Sequence, residues 1–214
     1  MSEKNIYILC IETASETLSL ALSKNGECIY SYIESEKQSH AKNITLAIQQ
    51  CMDETKISFQ ELAAVAINQG PGSFTGLRVA SSTAKGLCFA LKIPFIAIDG
   101  LKEHCIALQK QQFPSQNCFL LLDARRNNFY YTYCDTNGNS IIDSTFDSFE
   151  NIENIANNIG NSSLVKNTDF QEIPILNAKN MCEKAYIIFL ASDFKDIRLF
   201  EPNYIINNYV KTNL

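Results

Sequence analysis

Two stretches of this chain, beginning near residues 5 and 118, run through the same order of patterns. That repetition limits the fold more than any single motif. Residues 5–11 (NIYILCI) form an isoleucine-rich apolar run that reads as a central strand. The polar turn Glu12-Thr13-Ala14-Ser15-Glu16-Thr17 follows, and residues 18–22 then alternate as a second strand. Lys24-Asn25-Gly26 is a hairpin signal that leads into a third strand at 28–33. The second stretch has a strand at 118–122, the polar turn Asp123-Ala124-Arg125-Arg126-Asn127-Asn128 and a strand at 129–134. It goes on through an Asn137-Gly138 hairpin to a strand at 140–145. A helix comes next in both cases. One is predicted over 40–54, capped by Ser39, with Ala41, Ile44, Ala47, Ile48, Cys51 and Met52 on its apolar face; the other is predicted over 149–159. The residues are not alike, so the repeat is one of pattern.

Between the two stretches lie a strand at 63–67, preceded by a short segment from Ser58, a helix at 76–91, a strand at 94–98 and a helix at 101–112. The order βββαβαβ implies a mixed sheet with helices packed against it. Past residue 160 the pattern predicts a short strand at 164–166, a helix at 178–193 and an Asn-rich tail after Glu201-Pro202. The expectation is an α/β fold of two related lobes, residues 1–100 and a smaller 101–214. Each lobe is a mixed sheet that opens with a three-stranded antiparallel meander and is flanked by helices. The last residues, 200–214, are expected to pack back on the first lobe.

The segment from Gly70 to Leu91, GPGSFTGLRVASSTAKGLCFAL, joins two of these elements. Gly70 and Gly72 can take positive φ around Pro71, and Ser73 or Thr75 can cap the helix. Along 76–91 only Arg78 and Lys85 are charged, and they share one narrow stripe with Ser82. A helix on the outside of a domain normally keeps a broad polar face. This one therefore needs cover on the side away from its sheet, from a second domain, a second subunit or a different protein.

The net charge of −5 and pI near 5.1 exclude a global basic field for gripping nucleic acid. The 8 cysteines are scattered without a C-x-x-C pair, mostly inside apolar runs, which argues against a zinc site or a disulfide framework. The apolar run at 6–11 lacks the basic segment and cleavage site of a secretory leader. No apolar run reaches the length of a membrane span, about 18 residues or more. A protein of a reducing, cytoplasmic compartment is expected.

The two polar turns are the first candidates for chemistry. Glu12, Thr13 and Ser15 in one, and Asp123, Arg125 and Arg126 in the other, suit nucleotide phosphates and a metal if they face a cleft; otherwise they are solvated turns, the reading favoured here. The glycine loop fails the specific phosphate tests. Its glycines at 70, 72 and 76 miss the dinucleotide spacing by one residue, and Leu77 stands where a Walker loop needs Lys. Only His40 and His104 are present, with no paired-histidine metal motif. A His104–Cys105 dyad is disfavoured because neighbours on a helix point to different faces.

With these residues in place, the chain resembles the TsaB (YeaZ) family of tRNA threonylcarbamoyladenosine proteins. Residues 70–91 are similar to the family's signature, and 8–22 to its opening L-D-T-S-x-x-x-x-V-A-L segment. Leu121-Leu122-Asp123-Ala124-Arg125-Arg126 is similar to its L-D-A-R-R, and Glu201-Pro202-Asn203-Tyr204 to its closing P-x-Y. The resemblance implies a two-lobed actin/Hsp70/sugar-kinase (ribonuclease H-like) fold. It also implies a non-catalytic scaffold that binds and stabilises a larger relative, TsaD, which carries the metal and transfers threonylcarbamoyl to N6 of adenosine 37 in tRNAs. A TsaE-type ATPase would join them, the scaffold would self-associate through the same surface when alone, and tRNA would be met only through the complex. No cofactor and no membrane are implied. The implied interface uses the first two helices, with Ile44, Ile48, Gly76, Arg78, Val79, Ala80, Thr83, Ala84 and Leu87 as its residues. Two departures oppose ATP binding by this chain alone: Glu12 stands where the family and its ATP-using relatives carry Asp, and 160–170 lacks a clear glycine pair. The alternatives are an active ATP-dependent phosphotransferase or ATPase of the same fold using Glu12 and Asp123, and a peptidase, which the missing histidines oppose.

Overall fold

Along the strand β1 (Tyr7–Glu12), Ile8 and Cys10 point to one side while Leu9 and Ile11 point to the other, and all four are fully buried. A strand buried on both faces needs a layer on each. The computed structural model, which describes residues 5–15, 17–34, 40–112, 115–160, 162–166 and 177–205, supplies both layers. β1 pairs antiparallel with β2 (Ser19–Lys24), which pairs antiparallel with β3 (Glu27–Ile33) through the Asn25-Gly26 turn. On its other edge β1 runs parallel to β4 (Leu62–Asn68), and β4 runs parallel to β5 (Phe95–Ile98). The first sheet thus has the order β3-β2-β1-β4-β5.

The predicted repeat is present in the pairing itself. β6 (Asn117–Asp123), β7 (Asn128–Cys134) and β8 (Ser140–Ser148) form a second antiparallel meander, and β9 (Ser162–Lys166) runs parallel beside β6. Its order β8-β7-β6-β9 reproduces β3-β2-β1-β4. The chain is an α/β protein of two mixed sheets, each opening with an antiparallel meander, as the sequence predicted.

Helices α1 (His40–Thr55) and α2 (Phe74–Leu91) cover one face of the first sheet, where Leu9, Ile11, Leu20, Val65 and Ile67 meet Ile44, Ile48, Ala80 and Ala84. Each such Leu or Ile, taken fully out of water, contributes roughly 1.5–3 kcal/mol. Ser39, the predicted cap of α1, and the side chain of Ala41 lie outside the described residues. Between α1 and β4 a short 3-10 turn, Phe59–Glu61, is fixed by Ser58 and Glu61 bonding one another. The second sheet rests on α3 (Gly100–Gln112) through Leu101, Cys105 and Leu108, and on α4 (Phe149–Ile159) through Ile152 and Ala156.

One feature differs from the sequence expectation. The helix predicted over 178–193 is a 3-10 turn, Ala178–Met181, followed by α5 (Cys182–Ala191). The pair covers the second face of the first sheet, where Ala178, Met181, Cys182 and Ala185 pack on Ile8, Cys10, Ala64, Ala66 and Ile96. Phe200 sets its ring 4.8 Å from Phe95, and Tyr204 sets its ring 4.8 Å from Phe74 at the start of α2. All 8 cysteines are free, and all but the half-buried Cys28 are buried, acting as the small apolar groups their context predicted.

Candidate functional site

Glu12 ends β1, and Thr13 to Ser15 begin the turn that the sequence offered as a phosphate or metal position. The structure turns Glu12 inward. Its side chain is fully buried; Oε1 accepts from the Ala14 amide at 2.6 Å and Oε2 from Asn68 Nδ2 at 2.6 Å. Asn68 Oδ1 in turn accepts from the amides of Gly70 and Gly100, at 2.9 and 3.0 Å. Burial pushes the Glu12 carboxyl up to about 7, against the lowering effect of the bonds from Ala14, Asn68 and Thr13. Thr13 is also buried and donates its hydroxyl to the Gly76 carbonyl at 2.8 Å. Ser15 is half-buried, with its hydroxyl oxygen 3.4 Å from that of Thr17.

In the second lobe Asp123 is exposed and accepts from the Arg125 amide at 2.7 Å. Arg125, Arg126 and Asn127 are all left-handed, with φ of 70°, 56° and 58°. Three consecutive non-glycine residues there cost roughly 1 kcal/mol or more each. The two turns therefore hold very different carboxylates: one sealed inside the first lobe, the other in water.

The glycine loop has no empty cradle. A Cβ at Gly70 would sit 2.2 Å from the Asn203 carbonyl oxygen, one at Gly72 2.4 Å from that of Ala14, and one at Gly76 1.9 Å from that of Thr13. Gly70 and Gly72 have positive φ, 117° and 157°, as the sequence predicted. The Ser73 amide bonds to Ala14 O at 2.7 Å, and the Ser73 hydroxyl, the cap of α2, accepts from the Gly76 amide at 3.2 Å. The space that a phosphate would need is filled by the turn after β1 and by the C-terminal segment. The glycines allow backbone to pack against backbone.

His104 and Cys105 do not form a dyad. His104 is buried, with Nδ1 donating to the Gly100 carbonyl and Nε2 accepting from the Asn177 amide, and desolvation lowers its pKa to about 4. Cys105 faces the second sheet, its thiol 3.3 Å from the Cys118 carbonyl. Among the described residues no group of three or more His, Cys, Asp or Glu is placed to hold a metal ion. No described helix is long and apolar enough to cross a membrane.

The helix α2 explains its own composition only in part. Gly76, Leu77, Ala80, Ser81, Ala84 and Cys88 are its buried side. Of the nine residues that the resemblance assigned to a partner surface, Ile44, Ile48, Gly76, Ala80 and Ala84 are consequently inside this chain's own core. Helical spacing finds an apolar stripe but cannot say whether a sheet or a partner covers it. The charged stripe meets residues 200–204, although Arg78 and Ser82 on it stay exposed. Arg78 lies 4.2 Å over the Phe74 ring and donates from Nε to Tyr204 Oη at 3.2 Å, while Lys85 donates to the Phe200 carbonyl at 2.7 Å.

A third side remains open. Val79, Thr83 and Leu87 are half-buried, Gly86 and Ala90 are exposed, and Phe89 is 78% exposed; on α1, Leu46 is 69% exposed. A Cβ added at Gly86 would meet nothing within 4 Å. Glycine inside a helix costs roughly 0.5–1 kcal/mol relative to alanine, and nothing inside the monomer requires it at this position.

The family model for TsaD, tRNA N6-adenosine threonylcarbamoyltransferase, matches residues 27–211. The tRNA threonylcarbamoyladenosine biosynthesis protein TsaB of Buchnera aphidicola is 34% identical over 136 residues, which are 63% of this chain and 60% of that protein. TsaB of Haemophilus influenzae is 32% identical over 130 residues, 60% of this chain and 54% of that one. The chain thus aligns with little more than half the length of these relatives. YeaZ from Pseudomonas aeruginosa superposes with a TM-score of 0.75 at 20% identity, over 93% of this chain and 99% of that one, a likeness of fold. With the repeated meander, the glycine-loop helix and a family match over most of its length, the chain belongs to the TsaD family, as a TsaB/YeaZ-type member with the two-lobed actin-like fold.

Proposed function

We propose that this chain is a non-catalytic subunit of the tRNA threonylcarbamoyladenosine machinery, and that it binds and stabilises a TsaD-type catalytic subunit through the outer side of α1 and α2. The lobe of residues 1–100 carries the docking helices in this reading. The observation that carries it is Gly86, exposed in the middle of α2 with open space above it. A partner helix packed closely along Val79, Thr83, Gly86 and Ala90 gives that glycine a use, because small residues let two helix backbones approach. The exposed Leu46 and Phe89 flank the same side and supply apolar area.

Two observations favour a scaffold over an active phosphotransferase. Both carboxylate oxygens of Glu12 are held by groups inside the lobe, and the glycine loop is packed with backbone. Alone, the chain pairs with a second copy through the same helices; a TsaE-type ATPase joins the assembly, and tRNA is met only through the complex, in the cytoplasm. The test is size-exclusion chromatography with a purified TsaD-type protein. Co-elution at micromolar concentration, lost in Gly86→Arg with the variant still folded, supports the reading. Failure of the unmodified chain to co-elute overturns it.

A further inference from the structure

We propose that a second, unrelated site lies at the opposite end of both sheets: a pocket that binds a small phosphorylated molecule. The β2–β3 turn at Gly26 adjoins the start of β1, since Tyr7 pairs with Lys24 while Glu12 pairs with Ser19. The β7–β8 turn at Gly138 likewise lies beyond Cys134, which pairs with Cys118 at the start of β6. These turns are five residues of strand, about 16 Å, from the ends that carry Glu12 and Asp123. Between them, α3, the 3-10 turn Ala178–Met181 and α5 border an open pocket of about 690 Å³. That volume suits a small molecule and is too small for a folded partner.

Its walls are basic in a chain that is acidic overall. Lys102, Lys110, Lys179 and Lys184 line the cavity, with only Glu103 and Glu183 against them. Two of the four lysines are loosely paired. Lys102 reaches Asp143, itself 84% exposed, at 2.8 Å, and Lys184 stands 3.8 Å from Glu103. The Lys102–Asp143 pair, exposed at Asp143, is worth ~0–1 kcal/mol and is readily exchanged, and the Lys184–Glu103 pair is long. Lys110 and Lys179 make no ion pair among the described residues.

All four lysines border this one pocket. Burial raises the Glu103 carboxyl, against the pull of Lys184, Lys102 and Lys110. Lys179 acts electrostatically on the thiols of Cys28 and Cys182 in the cavity wall. Four lysines lining one pocket attract a phosphate oxyanion and can hold it through charge-assisted hydrogen bonds. Asn139, Ser140 and Asn180 on the rim add neutral partners for the rest of such a ligand. Ile106 and Ile187 supply apolar wall.

The test uses inorganic pyrophosphate as the probe and backbone amide NMR of the full chain as the readout. Saturable shifts at Gly26, Gly138 and Asn180 are expected. Lys110→Ala and Lys179→Ala should each weaken binding about tenfold or more, as loss of a charge-assisted bond implies. Lys92→Ala, outside the cavity, should leave it unchanged. Absence of saturable shifts at millimolar pyrophosphate overturns the proposal. So do shifts confined to the residues around Glu12 and Asp123, or affinity unchanged in both lysine variants. Circular dichroism of each variant separates lost binding from lost fold.

Discussion

Asn68 donates its side-chain amide to Glu12 Oε2 across 2.6 Å, and with its other side-chain atom accepts from the amides of Gly70 and Gly100. One side chain thus joins the ends of β1 and β4, the glycine loop and the start of α3. Gly100 has to be glycine for this, because a Cβ there would lie 2.2 Å from Asn68 Cγ. Replacing Asn68 by Ala leaves two buried amides and a carboxylate oxygen without partners. At about 1–3 kcal/mol for each group so stranded, the variant should lose roughly 3 kcal/mol of stability or more. A urea titration followed by circular dichroism measures it, and an unchanged midpoint would show that the network is dispensable.

The same carboxylate shapes the response to acid. The Glu12 pKa is raised from 4.5 to about 7, so the folded state holds more protons at this site than the unfolded chain between those values. Its contribution grows as pH falls from about 7 to 4.5. His104 has the opposite sign. Its pKa is lowered from 6.5 to about 4, so the stability tied to the neutral ring is present above 6.5 and is lost as pH falls towards 4. The two effects offset each other between about 4.5 and 6.5. Glu12→Gln removes one of them, so its stability should fall by about 1.4 kcal/mol per pH unit through that window, while the unmodified chain stays nearly level. Chemical denaturation at several pH values checks this; parallel curves for the two proteins would sink it.

Ala80 and Ala84 touch the first sheet with no exposed surface. Arginine at either place buries an unpaired charge, which costs on the order of 3–5 kcal/mol. Ala80→Arg and Ala84→Arg should therefore unfold or melt far below the unmodified chain. Thr83→Arg, on the half-buried side, should melt normally and fail to pair with a TsaD-type subunit. Differential scanning fluorimetry beside size-exclusion chromatography distinguishes the two classes. A stable Ala80→Arg would contradict the burial described here.

Gly86 makes the opposite prediction for stability and for docking. Gly86→Ala should stabilise the isolated chain by roughly 0.5–1 kcal/mol, because it restores helix propensity without a clash. The melting temperature should rise by roughly 1–4 °C. Affinity for the TsaD-type subunit should fall, since the added methyl separates the two helices. Calorimetric melting and a binding titration are the two measurements, and a gain in both would argue that no helix approaches this position.

Much of the fold was legible in the residues because its signals are local. The apolar runs at 5–11 and 118–122, the Asn25-Gly26 and Asn137-Gly138 turns and the Gly70–Gly72 loop are each fixed by a few neighbouring residues, and each is where it was expected. The repeated meander follows from those patterns, and the two sheets realise it strand for strand.

The site was less legible, since burial of a given side chain depends on residues distant in sequence. A glutamate in a polar turn looks solvated until Asn68, 56 residues away, draws it inward. An apolar helix looks equally in need of cover on every side until the first sheet takes one side and Phe200 and Tyr204 bond Lys85 and Arg78 on another. The segment 178–191 reads only as a helix; its place on the back of the first sheet comes from Ile8, Cys10 and Ala66, whose exposed faces needed a cover. Order, turns and strand faces are properties of short stretches and are written into the chain. Which face is left over for a partner is a difference between all apolar surface and all internal cover, and that exists only once every element has found its place.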